Sequence, residues 1–306
     1  MNDLGISRSQ GGIVIRKAFY FLLCILFSVA ILAACTKSSQ VPEVVATTTV
    51  VPQDTEVVAT PTIRPTETQV FAMPIEVWHL VILGDSTSWK LGKAYASQIE
   101  KDVGVKVVLK DYAVPSLSIG QVINALKKEG TIRIDLSGLS EAISDADVIV
   151  LYGNPMDSYI PENLSDSEVC LFTFIPPTNC SPGTNEKYIS DLKWVWGEIF
   201  RLRNGKPTIL RTMDMYSSWI SIWNEKGVYL ACTRCWENLS YSLRIAAEAY
   251  HIPFVHRYDA YNGVNHDEDP KEKGYIQSDG THPSDLGAQV TAELLAQLGY
   301  EPVPQP

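Results

Sequence analysis

The sequence predicts an α/β fold in which a parallel β-sheet is covered by helices on both sides. Short, almost continuous apolar runs of strand length alternate with longer segments in which apolar residues recur at helical spacing. Continuous apolar runs are typical of strands buried on both faces, and regular alternation of strands with helices is typical of parallel sheets. Because such sheets bind ligands at the carboxyl ends of their strands, we expect a functional site at that edge.

Three strands are predicted in the first part of this pattern. They span 77–83, 105–114 and 147–152. A helix is expected from about Ser88 to a stop at Gly104, and Leu91, Tyr95 and Ile99 share one of its faces. Two more helices are predicted over 119–129 and 137–146.

The second part of the pattern begins with a long loop over 153–184 and a helix over 186–205. Two strands are then predicted over 207–213 and 252–258. The final helix is expected to begin at Pro283, a favoured residue of a first turn. Its predicted apolar face consists of Leu286, Val290, Leu294 and Leu298.

The N-terminal segment has the pattern of a targeting sequence. Arg16 and Lys17 precede an apolar run that closes in small residues and Cys35. The closing residues, LAAC at 32–35, resemble the lipobox of bacterial lipoproteins. That resemblance implies a signal peptide over 1–34 and a lipid anchor on Cys35. An ordinary secretory signal and a single transmembrane anchor are the alternatives, and each version exports the chain.

The rest of the chain divides into a tether and one domain. Residues 35–74 are rich in Thr, Pro and Val without a sustained period, which is typical of an extended linker. Residues 75–306 have the size of a single domain. We therefore expect an exported domain that is anchored to a bacterial cell membrane and faces the periplasm or the exterior.

Four cysteines belong to the predicted domain: Cys170, Cys180, Cys232 and Cys235. An even number in an oxidising compartment favours two disulfides. Proximity in the sequence favours the pairs 170–180 and 232–235, although three pairings are possible. A redox or zinc motif is the alternative for the pair at 232 and 235, but no second pair of ligands accompanies it.

Composition excludes some classes of partner. The net charge is −10 and the pI is about 5.0, whereas a nucleic-acid partner would require a basic surface. The five histidines are too scattered to predict a metal site. The sequence therefore predicts neither a nucleic-acid partner nor a metal or cofactor.

A Ser–His–Asp arrangement is the strongest chemical pattern. Ser86 follows the first predicted strand, where it could be a nucleophile or only the N-cap of the next helix. A nucleophilic serine needs a base, and a carboxylate must orient that base. In the stretch SDGTHP, Asp279 precedes His282 by three residues in a turn with a glycine. The other four histidines lack this spacing, and we expect them in core or surface roles.

The stretches GDS at 84–86 and DGTHP at 279–283 resemble the SGNH (GDSL) hydrolase superfamily of serine esterases. The resemblance implies a flavodoxin-like α/β/α sandwich with five parallel strands in the order 2-1-3-4-5. It also implies that Ser86 is the nucleophile and that Asp279 and His282 are its partners.

The resemblance further implies an oxyanion hole, although the match is looser there. The family has a glycine after the second strand, and Ser116 stands at that position; Gly120 is the alternative register. A backbone N–H survives the change from glycine to serine. After the third strand, Asn154 matches the asparagine of the family pattern. The expected donors are the backbone N–H groups of Ser86 and Ser116 and the amide of Asn154.

An aromatic insertion follows the fourth predicted strand, over 215–241. Its candidate pocket residues are Trp219, Trp223, Tyr229 and Trp236. These side chains could line an acyl or sugar pocket or form a lid. The alternative is that they pack beneath the insertion.

These patterns predict an extracytoplasmic serine esterase that forms an acyl-enzyme. The expected substrates are short-chain acyl or acetyl esters, including those on carbohydrate, with lysophospholipids as the second choice. An O-acyltransferase with the same triad is one alternative. A non-catalytic, glycan-binding lipoprotein with the same fold is another. The expected partners are an ester substrate and the membrane that holds the lipid on Cys35.

Overall fold

The structure of the protein is a computed structural model that describes residues 76–129, 135–155 and 182–304. Within these residues, five parallel strands form one sheet in the order β2-β1-β3-β4-β5. The strands are β1 Val77–Gly84, β2 Lys106–Ala113, β3 Val148–Leu151, β4 Ile209–Met213 and β5 Phe254–Val255. This topology confirms the predicted fold class and strand order.

The two central strands are apolar on both faces, as their sequences predict. Every side chain of β3 is fully buried, and so are residues 80–83 of β1. Leu83 pairs with Tyr112 of β2 and with Leu151 of β3, so these three strands reach the carboxyl edge together. Paired strands lie about 4.8 Å apart, so the loops after β2 and β3 each begin about that distance from the loop after β1, and about 10 Å from each other.

Helices cover both faces of the sheet. They are α1 Leu91–Val103, α2 Ile119–Lys127, α3 Leu139–Asp145, α4 Pro182–Arg203, α5 Ile220–Glu225, α6 Tyr229–Glu248, α7 Arg257–Asn262 and α8 Asp285–Gln297. Helix α1 packs against α8, whereas α4 packs against α2, α3 and α6. These contacts form the two helical layers of the sandwich.

The prediction for the last strand was wrong in length. Only Phe254 and Val255 pair with β4, and the chain turns into α7 at Arg257, where the prediction had continued the strand to residue 258. The aromatic insertion over 215–241 does not form a separate lid. It contains α5, and its second half is the first part of the long helix α6.

The prediction for the final helix was wrong in its start and in one residue of its face. Val290, Leu294 and Leu298 are partly buried and pack against the core, as predicted. The helix begins at Asp285 with Ser284 as its N-cap, two residues after Pro283. Leu286, predicted to be buried, is 49% exposed, whereas Gly287 and Ala288 are buried. A Cβ on Gly287 would lie 2.3 Å from the carbonyl oxygen of Tyr275. Small residues therefore let α8 approach the preceding loop, and the large leucine points outward.

Several sequence predictions lie outside the described residues. They concern the signal segment over 1–34, Cys35, the tether over 35–74, Cys170, Cys180 and most of the loop over 153–184. Cys232 and Cys235 are buried in α6, and the pairing of the four cysteines stays a prediction. Among the described residues, no helix has the length and apolar character of a membrane span, and no cluster of His, Cys, Asp and Glu could hold a metal ion.

Candidate active site

The turn that carries Ser86 follows β1 directly. Gly84 ends the strand, and a Cβ there would lie 2.6 Å from the hydroxyl of Ser88, so the glycine permits the chain to fold back sharply. Asp85 caps the 3₁₀ turn Ser86–Ser88, since its carboxylate accepts from the backbone N–H and the hydroxyl of Thr87. The N-cap residue is therefore Asp85, and the alternative of a capping role for Ser86 is not realised.

A nucleophilic serine needs its hydroxyl and its backbone N–H open to the substrate. The residue is partly exposed, and neither its hydroxyl nor its backbone N–H has a hydrogen-bond partner among the described residues. Its carbonyl oxygen accepts from the N–H of Trp89 and closes the turn. Ser86 thus presents a free hydroxyl at the carboxyl edge of the sheet.

Asp279 and His282 form a pair within one loop. Nδ1 of His282 lies 2.8 Å from one carboxylate oxygen of Asp279, and the other oxygen accepts from the backbone N–H groups of Thr281 and His282. Partial burial acts to raise the pKa of Asp279, but these hydrogen bonds outweigh it and lower the pKa to about 2. Because an ionised carboxylate can only accept, Nδ1 carries the proton and Nε2 of the neutral ring is left as an acceptor.

Trp89 brings this loop to the turn of Ser86. Its indole ring stacks on the ring of His282, with 4.4 Å between centroids and an interplanar angle of 20°. The indole N–H donates to the carbonyl of Ala113, the last residue of β2. The imidazole therefore rests on a residue only three positions after Ser86, although the loop that carries it lies almost 200 positions along the chain.

The other histidines have different surroundings. His266 stacks on Tyr258, and its two ring nitrogens face Glu237 and Asp259. Neither nitrogen is left to accept a proton from a serine. His79 lies in β1 beside Asp147, which precedes β3 at the opposite edge of the sheet. Only His282 combines a carboxylate on Nδ1 with contact to the Ser86 turn.

The amide of Asn154 lies at the end of β3 and is tied to the Ser86 turn. Its Nδ2 donates to the second carboxylate oxygen of Asp85. Its backbone carbonyl accepts from Ile119 at the start of α2, at 2.7 Å. Burial raises the pKa of Asp85, while hydrogen bonds from Thr87 and Asn154 and the charge of Arg257 act against that rise. Asp85 therefore orients both the Ser86 turn and the Asn154 amide.

Ser116 occupies a backbone conformation that glycine would favour. It has φ +60° in the turn closed by the hydrogen bond from Leu117 N–H to the Val114 carbonyl. The N–H of Val114 donates to the carbonyl of Gly84, which ties this turn to the end of β1. The N–H of Ser116 has no hydrogen-bond partner among the described residues. The turn therefore places a serine in the left-handed region of backbone space that glycine usually occupies. Gly120, the alternative register, lies in the first turn of α2.

The four aromatic residues of the insertion separate into two groups. Trp223 and Trp236 do not line an open pocket, because they are only 1% and 3% exposed and pack edge to face in the core. Trp219 is partly exposed, and the ammonium of Lys271 lies over its ring, 5.5 Å from the centroid. Tyr229 is partly exposed and donates to the carbonyl of Asn265. Only Trp219 and Tyr229 remain candidates for contact with a substrate.

Three residues that the sequence analysis did not single out support the turn of Ser86 and the loop of His282. Arg257 donates to the carbonyl of Thr87, and Tyr216 donates to the carbonyl of Thr281. Trp89 is a third such residue. Of the three, only Trp89 had a signal in the sequence, because it lies three residues after Ser86 and its N–H closes the turn that follows the GDS stretch. Arg257 and Tyr216 were assigned to a strand and to the insertion.

Comparison with solved structures finds the same fold in known enzymes. The chain is similar to the lipase Lip_vut3 from a goat rumen metagenome, with 20% identity, a TM-score of 0.53, and coverage of 73% of this chain and 98% of that one. A variant of Axe2, an acetyl xylan esterase from Geobacillus stearothermophilus, shares 14% identity at a TM-score of 0.48, with 76% and 100% coverage. The lipase/acylhydrolase from Enterococcus faecalis shares 14% identity at a TM-score of 0.44, with 73% and 95% coverage.

No protein-family model and no curated protein matches the chain. The flavodoxin-like sandwich is the fold that the resemblance to SGNH hydrolases implied, and the solved lipase Lip_vut3 shares it. At this level of identity the likeness establishes the fold.

Proposed function

We propose that the protein is a serine ester hydrolase in which Ser86 is the nucleophile, His282 the general base and Asp279 the residue that orients His282. The observation that carries the proposal is the stacking of His282 on Trp89, because it joins the Asp279–His282 pair to the turn of Ser86. The free hydroxyl of Ser86 and the open acceptor on Nε2 supply complementary groups.

The reaction would proceed through an acyl-enzyme. The Ser86 oxygen attacks the ester carbonyl carbon while its proton moves to Nε2 of His282. The tetrahedral intermediate then loses the alcohol, which takes that proton from His282, and the acyl group remains on Ser86. Water attacks this second ester, gives one proton to His282, and releases the carboxylic acid. The proton returns from His282 to the Ser86 oxygen, which restores the enzyme.

An oxyanion hole is proposed from three donors. The backbone N–H groups of Ser86 and Ser116 have no partner among the described residues, so they are open to a substrate oxygen. The Asn154 amide has two N–H groups, and its hydrogen bond to Asp85 orients both of them. Each donor of this kind typically contributes about 10²–10³-fold in rate.

Short-chain acyl or acetyl esters, including those on carbohydrate, are the proposed substrates. The support is the partly exposed Trp219, an aromatic side chain that Lys271 links to the loop of His282. Lys271, which covers its ring, also lies near Gly280, where an added Cβ would be 3.9 Å from the ammonium. Aromatic surfaces of this kind can pack against an apolar sugar face or a short acyl group.

Export and a lipid anchor on Cys35 are proposed from the sequence of residues 1–35 alone. Expression in a bacterium with labelled fatty acid tests this. The label is expected on the wild-type chain and not on Cys35→Ala. Equal labelling of both chains, or of neither, would contradict the anchor.

The activity is tested with the full-length chain in non-ionic detergent, on p-nitrophenyl acetate and p-nitrophenyl octanoate. Ser86→Ala is expected to lower kcat at least 10³-fold. Ser88→Ala is the matched control, because it lies in the same turn and its buried hydroxyl has no hydrogen-bond partner among the described residues. We expect it to change kcat less than threefold.

A fluorophosphonate probe provides a second measurement, since it should add one phosphonyl group to Ser86. Equal activity of the wild type and Ser86→Ala would overturn the proposal. Product transferred to an added sugar acceptor in preference to water would indicate the acyltransferase, and glycan binding without turnover would indicate a binding protein.

A further inference from the structure

Arg257 lies buried beneath the proposed site. It is the first residue of α7, two positions after the end of β5, and it is only 1% exposed. Its Nε donates to the carbonyl of Asp214 at 2.9 Å, and its Nη1 donates to the carbonyl of Thr87 at 3.0 Å. Thr87 follows Ser86 in the chain. The guanidinium is therefore bonded directly to the turn that carries the proposed nucleophile.

Two tyrosine rings enclose the same guanidinium. Its central carbon lies 5.0 Å from the ring centroid of Tyr152 and 5.0 Å from that of Tyr216. The hydroxyl of Tyr216 donates to the carbonyl of Thr281 at 2.8 Å. Thr281 immediately precedes His282. Arg257 thus reaches the loop of the proposed base through one intervening side chain.

An ordinary buried ion pair does not explain this residue. Among the described residues, no carboxylate oxygen lies within 4.0 Å of its guanidinium nitrogens, and Nη2 has no hydrogen-bond partner. The charge is instead held by carbonyl oxygens and by the faces of aromatic rings, which attract cations. Asp85 and Asp214 are close enough that the charge acts to lower their pKa values, against the effect of burial. A guanidinium suits this role because its donors have fixed directions.

We infer that Arg257 is a positioning residue that sets the separation of Ser86 and His282, directly through Thr87 and indirectly through Tyr216 and Thr281. The inference rests on the proposed function of Ser86 and His282. Nothing in the arrangement requires Arg257 to touch a substrate. A displacement of about 1 Å between reacting groups can reduce a rate about 10²-fold, so the effect should fall on kcat.

The test compares Arg257→Met and Tyr216→Phe in the full-length chain with a matched control, Arg203→Met. Arg203 is also a buried arginine bound by oxygen atoms, those of Thr208, Ser144 and Pro207, but it lies at the amino ends of the strands. Both arginine variants should lower the melting temperature. Tyr216→Phe keeps the ring and its packing, so it should fold even where Arg257→Met does not.

With p-nitrophenyl acetate, we expect Arg257→Met to lower kcat 30- to 100-fold and Tyr216→Phe to lower it about 10-fold. KM should stay within threefold of the wild type in both, and Arg203→Met should change neither constant more than threefold. The double variant should lose little more than Arg257→Met alone, since both changes interrupt the same connection. A normal kcat in Tyr216→Phe, or a loss in Arg257→Met equal to that in Arg203→Met, would overturn the inference.

Amide hydrogen exchange gives a second readout that needs no turnover. Arg257→Met and Tyr216→Phe should each speed exchange in the segment 279–284 at least fivefold, and Arg203→Met should not. If the wild type lacks Ser86-dependent activity, the proposed function fails, whereas the exchange rates still decide whether Arg257 holds this loop. Unchanged exchange in both variants would refute the connection independently of activity.

Discussion

Asp214 should make the protein less stable as the pH rises from about 4 to about 6. Burial raises its pKa to about 6 from an ordinary value of 3.8, although hydrogen bonds from Ser240 and from the backbone of Tyr258 and the charges of Arg257 and His256 act to lower it. In that pH interval the folded state keeps a proton that the unfolded state has lost, so the free energy of unfolding falls with pH.

The magnitude follows from the pKa difference and from the near-complete burial of Asp214 at 2% exposure. The interval from 3.8 to about 6, at about 1.36 kcal/mol per pH unit, corresponds to about 3 kcal/mol. Asp214→Asn should abolish this contribution. Its side-chain carbonyl can still accept from the N–H of Tyr258, which bonds to the carboxylate at 2.8 Å.

Urea unfolding of the full-length chain, followed by tryptophan fluorescence between pH 4 and 7.5, measures the effect. The difference in free energy of unfolding between Asp214→Asn and the wild type should grow with pH and level off above about pH 6.5. Ser240→Ala is the matched variant, because it removes the hydrogen bond of 2.6 Å to the Asp214 carboxylate, which acts to lower the pKa of Asp214. The fall in the free energy of unfolding should therefore extend to higher pH in this variant. A difference that does not vary with pH would refute the reasoning.

Three further predictions concern the proposed chemistry. Asp279→Asn should lower kcat for p-nitrophenyl acetate by about 10⁴-fold, since Nδ1 of His282 would lose its ionised acceptor; a loss below tenfold would contradict its role. Asn154→Ala should lower kcat/KM by about 10²–10³-fold, and unchanged kinetics would remove the Asn154 amide from the oxyanion hole. Trp89→Leu loses both the stacking on His282 and the hydrogen bond to Ala113, about 2 kcal/mol together, and should lower kcat about 10- to 30-fold. Trp89→Phe keeps a ring and should lose less; an equal loss in both variants would show that stacking is not what matters.

The aromatic residues of the insertion show why a composition pattern alone misleads. Trp219, Trp223 and Trp236 occur in one short stretch, and nothing in the sequence distinguishes them. In the structure α5 and α6 turn Trp223 and Trp236 toward each other in the core, while Trp219 stays partly exposed before α5. Which aromatic side chain faces solvent depends on how the two helices pack, and helical spacing within each does not reveal it.

The sequence by itself determined the layers of the fold and the candidates for its chemistry. The apolar runs of β1 and β3 are buried on both faces because period and composition report burial directly. The spacing of Asp279 and His282 predicted their contact because a three-residue separation is a local geometry. Ser86 was located for a similar reason, since a residue directly after a buried parallel strand must lie at its carboxyl edge.

Only the tertiary structure decided what surrounds these groups. The stacking of Trp89 on His282 and the hydrogen bond from Arg257 to Thr87 join residues that are distant in the chain, the latter 170 positions apart. The predicted strand over 252–258 included Arg257, which the structure places at the start of α7. A strand that turns into a helix after two residues has the same local composition as a longer strand, so the sequence did not reveal this position. Such pairs depend on the order of the strands and on where each one ends, and a single sequence does not encode them in any local pattern.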